Sequence, residues 1–146
     1  MNPRIGDQTE TKFTRRERDC LEQIRDEGSV KLVRLSKYLN VKPPTAYSIV
    51  QRLIGKGAVS RDKNNTIMLT ALGEKNAESI IFRHRVLETL LTKNGVSASD
   101  ACTECKKLDF LISDKVAKEL FIRLKEPKLC PHGKPIRILQ NSANMV

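Results

Sequence analysis

The chain has 146 residues, 39% of them hydrophobic and 30% charged, which is the composition of a globular protein and argues against disorder. No run of about 18 apolar residues occurs and residues 1–11 are largely polar, so we expect neither a transmembrane helix nor a secretory signal, and a cytoplasmic location. The formal net charge is +10, and residues 31–63 hold eight basic residues against one acidic residue, a net +7. Such a concentrated positive field suits a polyanion such as nucleic acid, although a solubilising surface would show the same excess.

The first half of the chain predicts three short helices in succession. Thr14 and Glu17 have the spacing of a capping box, which begins a helix that Gly28 ends. A second helix ends at Asn40, and Pro43 opens a third, because the missing N–H of proline costs little in a first helical turn. The apolar side of the third helix consists of Ala46, Ile49, Val50, Leu53 and Ile54.

Two short strands are predicted next, at residues 58–61 and 66–69, with the turn-forming residues 62–65 between them. Three helices, the third with a polar face, followed by a basic-tipped hairpin are typical of a winged helix-turn-helix. In that fold the third helix enters the major groove of DNA and the hairpin follows the backbone or the minor groove. The alternative is a helical domain that uses the same face against another protein. The residues that we expect to contact DNA are Lys42, Pro43, Pro44, Thr45, Tyr47, Ser48, Gln51, Arg52, Arg61 and Lys63.

The second half predicts three more helices, then a loop. The first is long and amphipathic, from about residue 70 to 93, with a stripe of Ala77, Ile80, Ile81, Leu87, Leu90 and Leu91. Two further helices follow, one near residues 99–109 and one capped by Ser113. The last helix is expected to bury Val116, Ala117, Leu120, Phe121 and Leu124. Residues 126–146 contain three prolines and are interpreted as loop and tail. The rest of the chain offers little to cover these apolar helical faces, so we expect a two-fold homodimer to bury them. Such a dimer would place the third helix of each protomer on successive turns of DNA.

Side chains that can bind metals are concentrated in this second half. His84 and Glu88 are one helical turn apart, and Cys102, Cys105 and Asp109 share a face of the predicted 99–109 helix. Such groups are costly to bury unless they pair with one another or bind a cation. The simpler interpretation is a hydrogen-bonded His84–Glu88 pair beside cysteines that serve as small core residues.

The number and placement of the cysteines also favour metal binding. Four cysteines are too few for a disulfide scaffold, so thiols or metal ligands are expected, and Cys130 lies with His132 in the loop after the last helix. We therefore predict a mainly α fold in two parts. Residues 1–72 form a winged helix-turn-helix domain, residues 73–137 a helical dimerisation and metal-binding domain, and residues 138–146 a tail.

Five stretches of the chain resemble the diphtheria toxin repressor family of iron- and manganese-dependent repressors, in the family's order and spacing. They lie at residues 41–45 (VKPPT), 68–73 (MLTALG), 83–88 (RHRVLE), 112–116 (ISDKV) and 130–136 (CPHGKPI). The resemblance covers residues 13–137 and is to the short, two-domain form without the SH3-like domain. It implies a homodimer that binds palindromic operators in double-stranded DNA when a divalent metal is bound.

The resemblance also implies a set of metal ligands. Asp19 and Glu22 fall where manganese-type members place ligands on the first helix, and His84 and Glu88 match ligands on the long helix. Cys102 lies where iron-type members have a histidine ligand. Asp109 falls where a carboxylate ligand is usual.

Two departures from the family pattern affect the expected site. Lys106 and Phe110 replace residues that the family uses as ligands, so the expected site is His84, Glu88 and Cys102, with Cys105 or Cys130 nearby. Thiolates favour softer metals. We expect Fe²⁺ first, with Zn²⁺ or Mn²⁺ as alternatives.

Three other functions remain open at this point. The cysteines can serve as a redox or iron–sulfur sensor on the same DNA-binding fold, or hold a purely structural zinc. The whole chain can instead be a protein–protein interaction module with a solubilising basic face. An enzyme is not expected, because the chain has no nucleophile–base arrangement and no glycine-rich phosphate loop.

Overall fold

A computed structural model of the protein describes residues 10–138, and the chain divides into two compact units, Met1–Ala77 and Glu78–Val146. The boundary between the units falls inside one long helix. The division at residue 72 stays a prediction, because a compact unit and an independently folding domain are different properties. Within residues 10–138 no helix is long and apolar enough to cross a membrane.

The first unit contains three helices and a three-stranded sheet, and the helices and the β-hairpin follow the predicted order. Its elements are α1 Arg15–Glu27, β1 Ser29–Lys31, α2 Leu32–Leu39, α3 Pro43–Gly55, β2 Val59–Arg61 and β3 Thr66–Leu69. The capping box at α1 is present, since Thr14 Oγ1 accepts from the Glu17 backbone N–H and Glu17 Oε1 accepts from the Thr14 N–H, both at 3.2 Å. Asn40 ends α2 in the left-handed conformation. Pro43 is the first residue of α3.

The sheet has the order β1-β3-β2, and both pairings are antiparallel. The β2–β3 hairpin matches the prediction. Strand β1 was not predicted, because three residues are too few to show an alternating pattern. Its buried residue Val30 pairs with Ile67 at the centre of the sheet.

The core of the first unit lies between the helices and the sheet. The apolar side predicted for α3 is buried, apart from Ile54, which is only partly covered. Buried core residues from the helices and β3 include Cys20, Leu21, Ile24, Leu35, Leu39, Ala46, Ile49, Val50, Leu53 and Ile67. Burial of this side leaves the opposite side of α3 in solvent.

The second unit consists of most of α4 Ala71–Lys93, α5 Ala98–Cys105 and α6 Asp114–Arg123. Its core cluster comprises Phe82, Val86, Ala117, Phe121, Cys130 and Ile136. The Phe82 and Phe121 rings meet edge to face, with centroids 5.6 Å apart. Residues 124–138 contain only an isolated bridge between Leu129 and Pro135, as expected for a loop. Residues 139–146 of the predicted tail lie outside the described residues.

Three details of the second unit differ from the prediction. The helix expected over residues 99–109 ends at Cys105, and Asp109 follows it in a series of turns. Val116 is 45% exposed rather than buried. Phe82 and Val86, which the predicted stripe of α4 omitted, are core residues, whereas Leu87, Leu90 and Leu91 are only partly buried. Three apolar residues in succession, from Ile80 to Phe82, made the buried stripe hard to assign from spacing alone.

Candidate metal centre and nucleic-acid interface

The solvent side of α3 carries the predicted DNA-contacting residues. Its first turn, from Pro43 to Thr45, is exposed, and so are Ser48, Gln51 and Arg52. Ser48 Oγ donates a hydrogen bond to the Pro44 carbonyl oxygen at 3.1 Å, which leaves the lone pairs of the hydroxyl oxygen facing outward as acceptors. The helix thus offers the hydroxyl, amide and guanidinium groups that are used to read base edges and phosphates.

Tyr47 connects this helix with the hairpin. The Arg61 guanidinium of β2 lies 4.8 Å from the centre of the Tyr47 ring, and Gln51 Nε2 donates to the Tyr47 hydroxyl at 2.7 Å. Hydrogen bonds from Arg61 and Gln51, together with the Arg61 charge, lower the pKa of Tyr47. Helix and hairpin therefore present one continuous polar surface within the first unit.

The hairpin tip is held by its own side chains. Asp62 Oδ1 accepts from the backbone N–H groups of Asn64 and Thr66 at 2.8 and 3.0 Å, which lowers the pKa of Asp62. Lys31 Nζ donates to the Asn64 carbonyl oxygen at 2.8 Å. Lys63 is left exposed at the tip.

Two of the eight basic residues in the 31–63 segment form ion pairs with acidic residues of the same unit. Lys56 Nζ lies 2.7 Å from Glu17 Oε2, and Arg34 Nη2 lies 2.6 Å from Glu27 Oε1. Lys42, Arg52 and Lys63, by contrast, are exposed and have no ion pair within residues 10–138. Fewer positive charges are therefore available to a polyanion than the eight basic residues of this segment. The three named here lie at α3 and at the hairpin tip.

The second unit brings together three side chains that can hold a metal. His84 Nε2 is 2.6 Å from Glu88 Oε1, one turn further along α4. Cys102 Sγ, on α5, is 3.6 Å from the same nitrogen. One ligand atom from each residue lies within 4.8 Å of the other two, so a single ion can contact all three.

Asp109 fixes the orientation of the His84 ring. Asp109 is fully buried, and its Oδ2 lies 2.9 Å from His84 Nδ1. Burial alone would lower the pKa of His84, but the hydrogen bonds with Asp109 and Glu88 outweigh it and raise the pKa well above the usual range. A carboxylate on one ring nitrogen directs the other toward a metal, which is the usual arrangement of a histidine ligand. Asp109 thus contacts His84 rather than joining the group of three ligand atoms.

The remaining predicted ligands occupy different surroundings. Cys105 is buried outside this group, where burial and the charges of Glu88 and Asp109 raise its thiol pKa to about 12. In the first unit, Asp19 lies 3.1 Å from both Arg15 and Arg18. Glu22 Oε2 lies 2.6 Å from Arg18 Nη2. Ion pairs with arginine account for both carboxylates, and their role as ligands stays a prediction.

His132 is a neighbour of this site that the sequence did not assign to it. His132 Nδ1 lies 2.7 Å from Glu88 Oε2, and Cys130 completes a second group of ligand atoms with these two residues. The sequence signal was the close spacing of Cys130 and His132 in a loop, which does not show where the loop folds back.

A winged helix-turn-helix unit followed by a helical unit with clustered nitrogen, sulfur and carboxylate donors defines a class of protein, the metal-responsive DNA-binding regulators. Comparison with known families agrees with this assignment. The model described as "Iron dependent repressor, metal binding and dimerisation domain" matches residues 70–137, and the model of the MarR family matches residues 13–66.

Named relatives and solved structures show the same likeness. The chain is 28% identical over 116 residues to the diphtheria toxin repressor of Corynebacterium diphtheriae, covering 78% of this chain and 51% of that one. The structure of hypothetical protein SSo2273 from Sulfolobus solfataricus has a TM-score of 0.76 and 32% identity, covering 86% of this chain and 99% of that one. The manganese regulator SloR has a TM-score of 0.75 and 26% identity, covering 88% of this chain and 62% of SloR.

Residues 70–137 thus match the metal-binding and dimerisation domain of iron-dependent repressors, and the chain resembles the diphtheria toxin repressor and IdeR. The relatives that it matches are named as repressors and transcriptional regulators. The chain spans about half to three fifths of the length of several curated relatives that it matches.

Proposed function

We propose that this protein is a homodimeric repressor whose affinity for a palindromic operator rises when a divalent transition metal binds His84, Glu88 and Cys102. The observation that carries the proposal is the convergence of these three side chains, whose ligand atoms lie within 4.8 Å of one another. Metal homeostasis genes are the targets that a repressor gated in this way would control.

The donor set favours a borderline metal. One imidazole nitrogen, one thiol sulfur and one carboxylate oxygen suit Fe²⁺ or Zn²⁺ better than Mn²⁺, which prefers oxygen ligands. The pairing of His84 with Asp109 supports a ligand role for His84, because it orients the ring and increases its basicity toward a cation. We expect Fe²⁺ to be the physiological metal, with Zn²⁺ as the nearest competitor.

The exposed face of α3 and the hairpin tip are the proposed DNA-contacting surface. Lys42, Arg52 and Lys63 supply positive charge for phosphates, while Thr45 and Gln51 can reach base edges. The proposed dimer buries apolar side chains of the second unit that are exposed in the single chain. These side chains are Leu108, Leu111, Val116, Ile122, Leu129 and Ile138.

Substitution of the ligands tests the proposal. Glu88→Gln and Cys102→Ser should abolish the gain in DNA affinity on adding metal while leaving affinity in chelator unchanged, because neither residue belongs to the DNA-contacting unit. Cys20→Ala, in α1, is the control and should keep the full gain. The measurement is anaerobic fluorescence anisotropy with a duplex from the gene's own upstream region. An undiminished metal response in both ligand variants would contradict the proposal.

Redox sensing is the competing hypothesis, and one observation favours it. Cys102 is partly exposed, whereas Cys20, Cys105 and Cys130 are buried, so an oxidant would reach Cys102 first. This hypothesis requires that oxidation reversibly abolish DNA binding in the wild-type protein and have no effect on Cys102→Ser. Equal responses of the two proteins to oxidation would rule it out.

A further inference from the structure

Arg61 is held differently from three other basic side chains of the 31–63 segment. Lys56 and Arg34 pair with carboxylates, and Lys31 donates to a backbone carbonyl oxygen. The Arg61 guanidinium instead lies 4.8 Å from the centre of the Tyr47 ring. An aromatic ring attracts a cation through its π face but carries no net charge, so this contact holds the guanidinium without neutralising it.

The backbone on both sides of this contact is fixed. Arg61 is the last residue of β2 and pairs with Ile67 of β3. The Asp62 N–H closes the hairpin by donating to the Thr66 carbonyl oxygen at 3.1 Å. Tyr47 lies within α3. The contact therefore joins the hairpin to the proposed DNA-contacting helix inside the first unit.

The Tyr47 ring is also held by its own helix. Gln51 Nε2, one turn further along α3, donates to the Tyr47 hydroxyl at 2.7 Å. Tyr47 is 41% exposed, so it is not a core residue. Its contacts with Gln51 and Arg61 order three surface side chains that would otherwise move freely.

Packing of Arg61 on an exposed ring without any role in DNA binding is the simpler alternative. It accounts for the closeness of the two side chains. It does not use the position of the guanidinium beside the exposed face of α3, where Arg61 has no ion pair with a carboxylate of residues 10–138. A cation that is ordered but not neutralised is prepared to bind an anion, because little side-chain entropy is left to lose on binding.

We propose that Tyr47 is a positioning residue for DNA binding, whose ring places the Arg61 guanidinium in contact with a phosphate of the duplex that α3 binds. Arg61 neutralises the phosphate, and the uncharged Tyr47 determines whether Arg61 reaches it. This inference rests on the proposed function only in taking duplex DNA as the ligand, and it does not depend on a metal.

The salt dependence of DNA binding distinguishes this role from a direct contact. Arg61→Ala should lower the slope of log affinity against log salt concentration by about 0.9 for each protomer bound, the value for one lost phosphate contact. Tyr47→Ala should lower the slope by at least half as much although it removes no charge. A tyrosine that only contacts DNA through its own hydroxyl, or that only stabilises α3, would change affinity and leave the slope unchanged.

Two further variants sharpen the comparison. The double variant Tyr47→Ala/Arg61→Ala should have the slope of Arg61→Ala alone, because both substitutions remove the same phosphate contact. Tyr47→Phe keeps the ring that faces Arg61 and should keep the wild-type slope.

Tyr38, on α2, is the matched control. It is 44% exposed, and its hydroxyl donates to Glu22 Oε1 at 3.5 Å, so it is a tyrosine of similar exposure in the same unit. Tyr38→Ala should keep the wild-type slope. Fluorescence anisotropy with one duplex at several NaCl concentrations gives the slopes, and circular dichroism checks that each variant is folded.

The outcomes separate this inference from the proposed function. A wild-type slope in Tyr47→Ala beside a reduced slope in Arg61→Ala would overturn the inference, because Arg61 would then reach its phosphate unaided. Wild-type slopes in both variants would overturn it as well, because Arg61 would then contact no phosphate. The slopes are measured with Zn²⁺ and in chelator, so a wild type that binds DNA equally in both contradicts the proposed function and leaves this comparison valid. A wild type that binds no duplex overturns both.

Discussion

Glu17 is fully buried although it is ionisable, and its partners explain how the fold tolerates it. Lys56 Nζ lies 2.7 and 3.0 Å from its two carboxylate oxygens, and the Thr14 N–H donates to it as well. Lys56 also donates to the Lys12 carbonyl oxygen at 2.7 Å. Lys56 is therefore a structural residue, although in sequence it belongs to the basic segment expected to meet a polyanion.

Removal of Lys56 should destabilise the first unit. Lys56→Met leaves the Glu17 carboxylate buried with only the Thr14 N–H as partner, so we expect a loss of about 3 kcal/mol, the lower end for a buried charge left unpaired. The measurement is the free energy of unfolding in urea. Lys37→Met, at an exposed position of α2, is the control and should change it by less than about 0.5 kcal/mol. Equal effects of the two substitutions would contradict this account of Glu17.

Contacts within one helical turn could be predicted at the residue scale, and distant ones could not. The Thr14–Glu17 capping box and the His84–Glu88 pair follow from spacings of three and four residues, and both are present. The Glu17–Lys56 and Glu88–His132 contacts join residues 39 and 44 positions apart. Neither pair is implied by any local pattern, since both depend on the path of the intervening chain.

At the scale of elements, the first turn of α4 packs closely against the chain entering the hairpin. Thr70 Oγ1 donates to the Gly57 carbonyl oxygen at 2.6 Å and accepts from the Gly73 N–H at 3.0 Å. A Cβ atom added at Gly73 would lie 1.8 Å from the Ala58 carbonyl oxygen. Only glycine permits this approach, so the start of α4 is fixed by backbone contact.

Gly73→Ala should therefore destabilise the protein by about 2 kcal/mol or more, because a backbone atom must move to admit the methyl group. Gly55→Ala, in α3, is the matched control. No atom lies within 4 Å of its added Cβ, so alanine should be neutral or stabilise by less than about 1 kcal/mol. Unfolding of both variants in urea gives the comparison. Similar stabilities would show that the contact at Ala58 can relax freely.

The basic groups on α3 and at the hairpin tip should set the salt dependence of DNA binding. Arg52→Ala and Lys63→Ala should each reduce the slope of log affinity against log salt concentration by about 0.9, the value for one lost phosphate contact. Lys107→Ala removes the same charge from the second unit, where Lys107 pairs with Glu104, and should leave the slope unchanged. An equal fall in all three variants would mean that net charge, rather than this surface, governs binding.

Element boundaries were harder to predict than element types. The order of helices and hairpin followed from caps, prolines and turn residues, and the structure has that order. Strand β1 was missed because it is too short to carry a period. The early end of α5 at Cys105 was missed because the residues after it have no proline or glycine to mark a stop. Those turns bring Asp109 to His84.

At the scale of the whole molecule, the proposed DNA-contacting side chains and the metal-binding side chains lie in different units. The exposed cations of α3 and the hairpin belong to the first unit, and both groups of ligand atoms belong to the second. The proposed ligands His84 and Glu88 lie on α4, the helix whose first turn packs against Ala58 at Gly73. The same helix carries the chain from the first unit into the second.

The choice of metal could not be predicted from the sequence for a physical reason. A nitrogen, a sulfur and a carboxylate oxygen suit Fe²⁺, Co²⁺ and Zn²⁺ alike, and selectivity among them depends on geometry and on availability in the cell. Relatives and similar structures carry iron-dependent and manganese names in turn. The two cysteines in the ligand groups, Cys102 and Cys130, are the features that argue against manganese here.

The most direct test of metal-gated repression is the affinity of the wild-type protein for a duplex from its own upstream region. It is measured anaerobically at fixed salt concentration in Fe²⁺, Zn²⁺, Mn²⁺ and chelator. We expect Fe²⁺ or Zn²⁺ to tighten binding at least tenfold over chelator, about 1.4 kcal/mol of coupling, and Mn²⁺ to have a smaller effect. Equal affinity in all four conditions would contradict metal-gated repression.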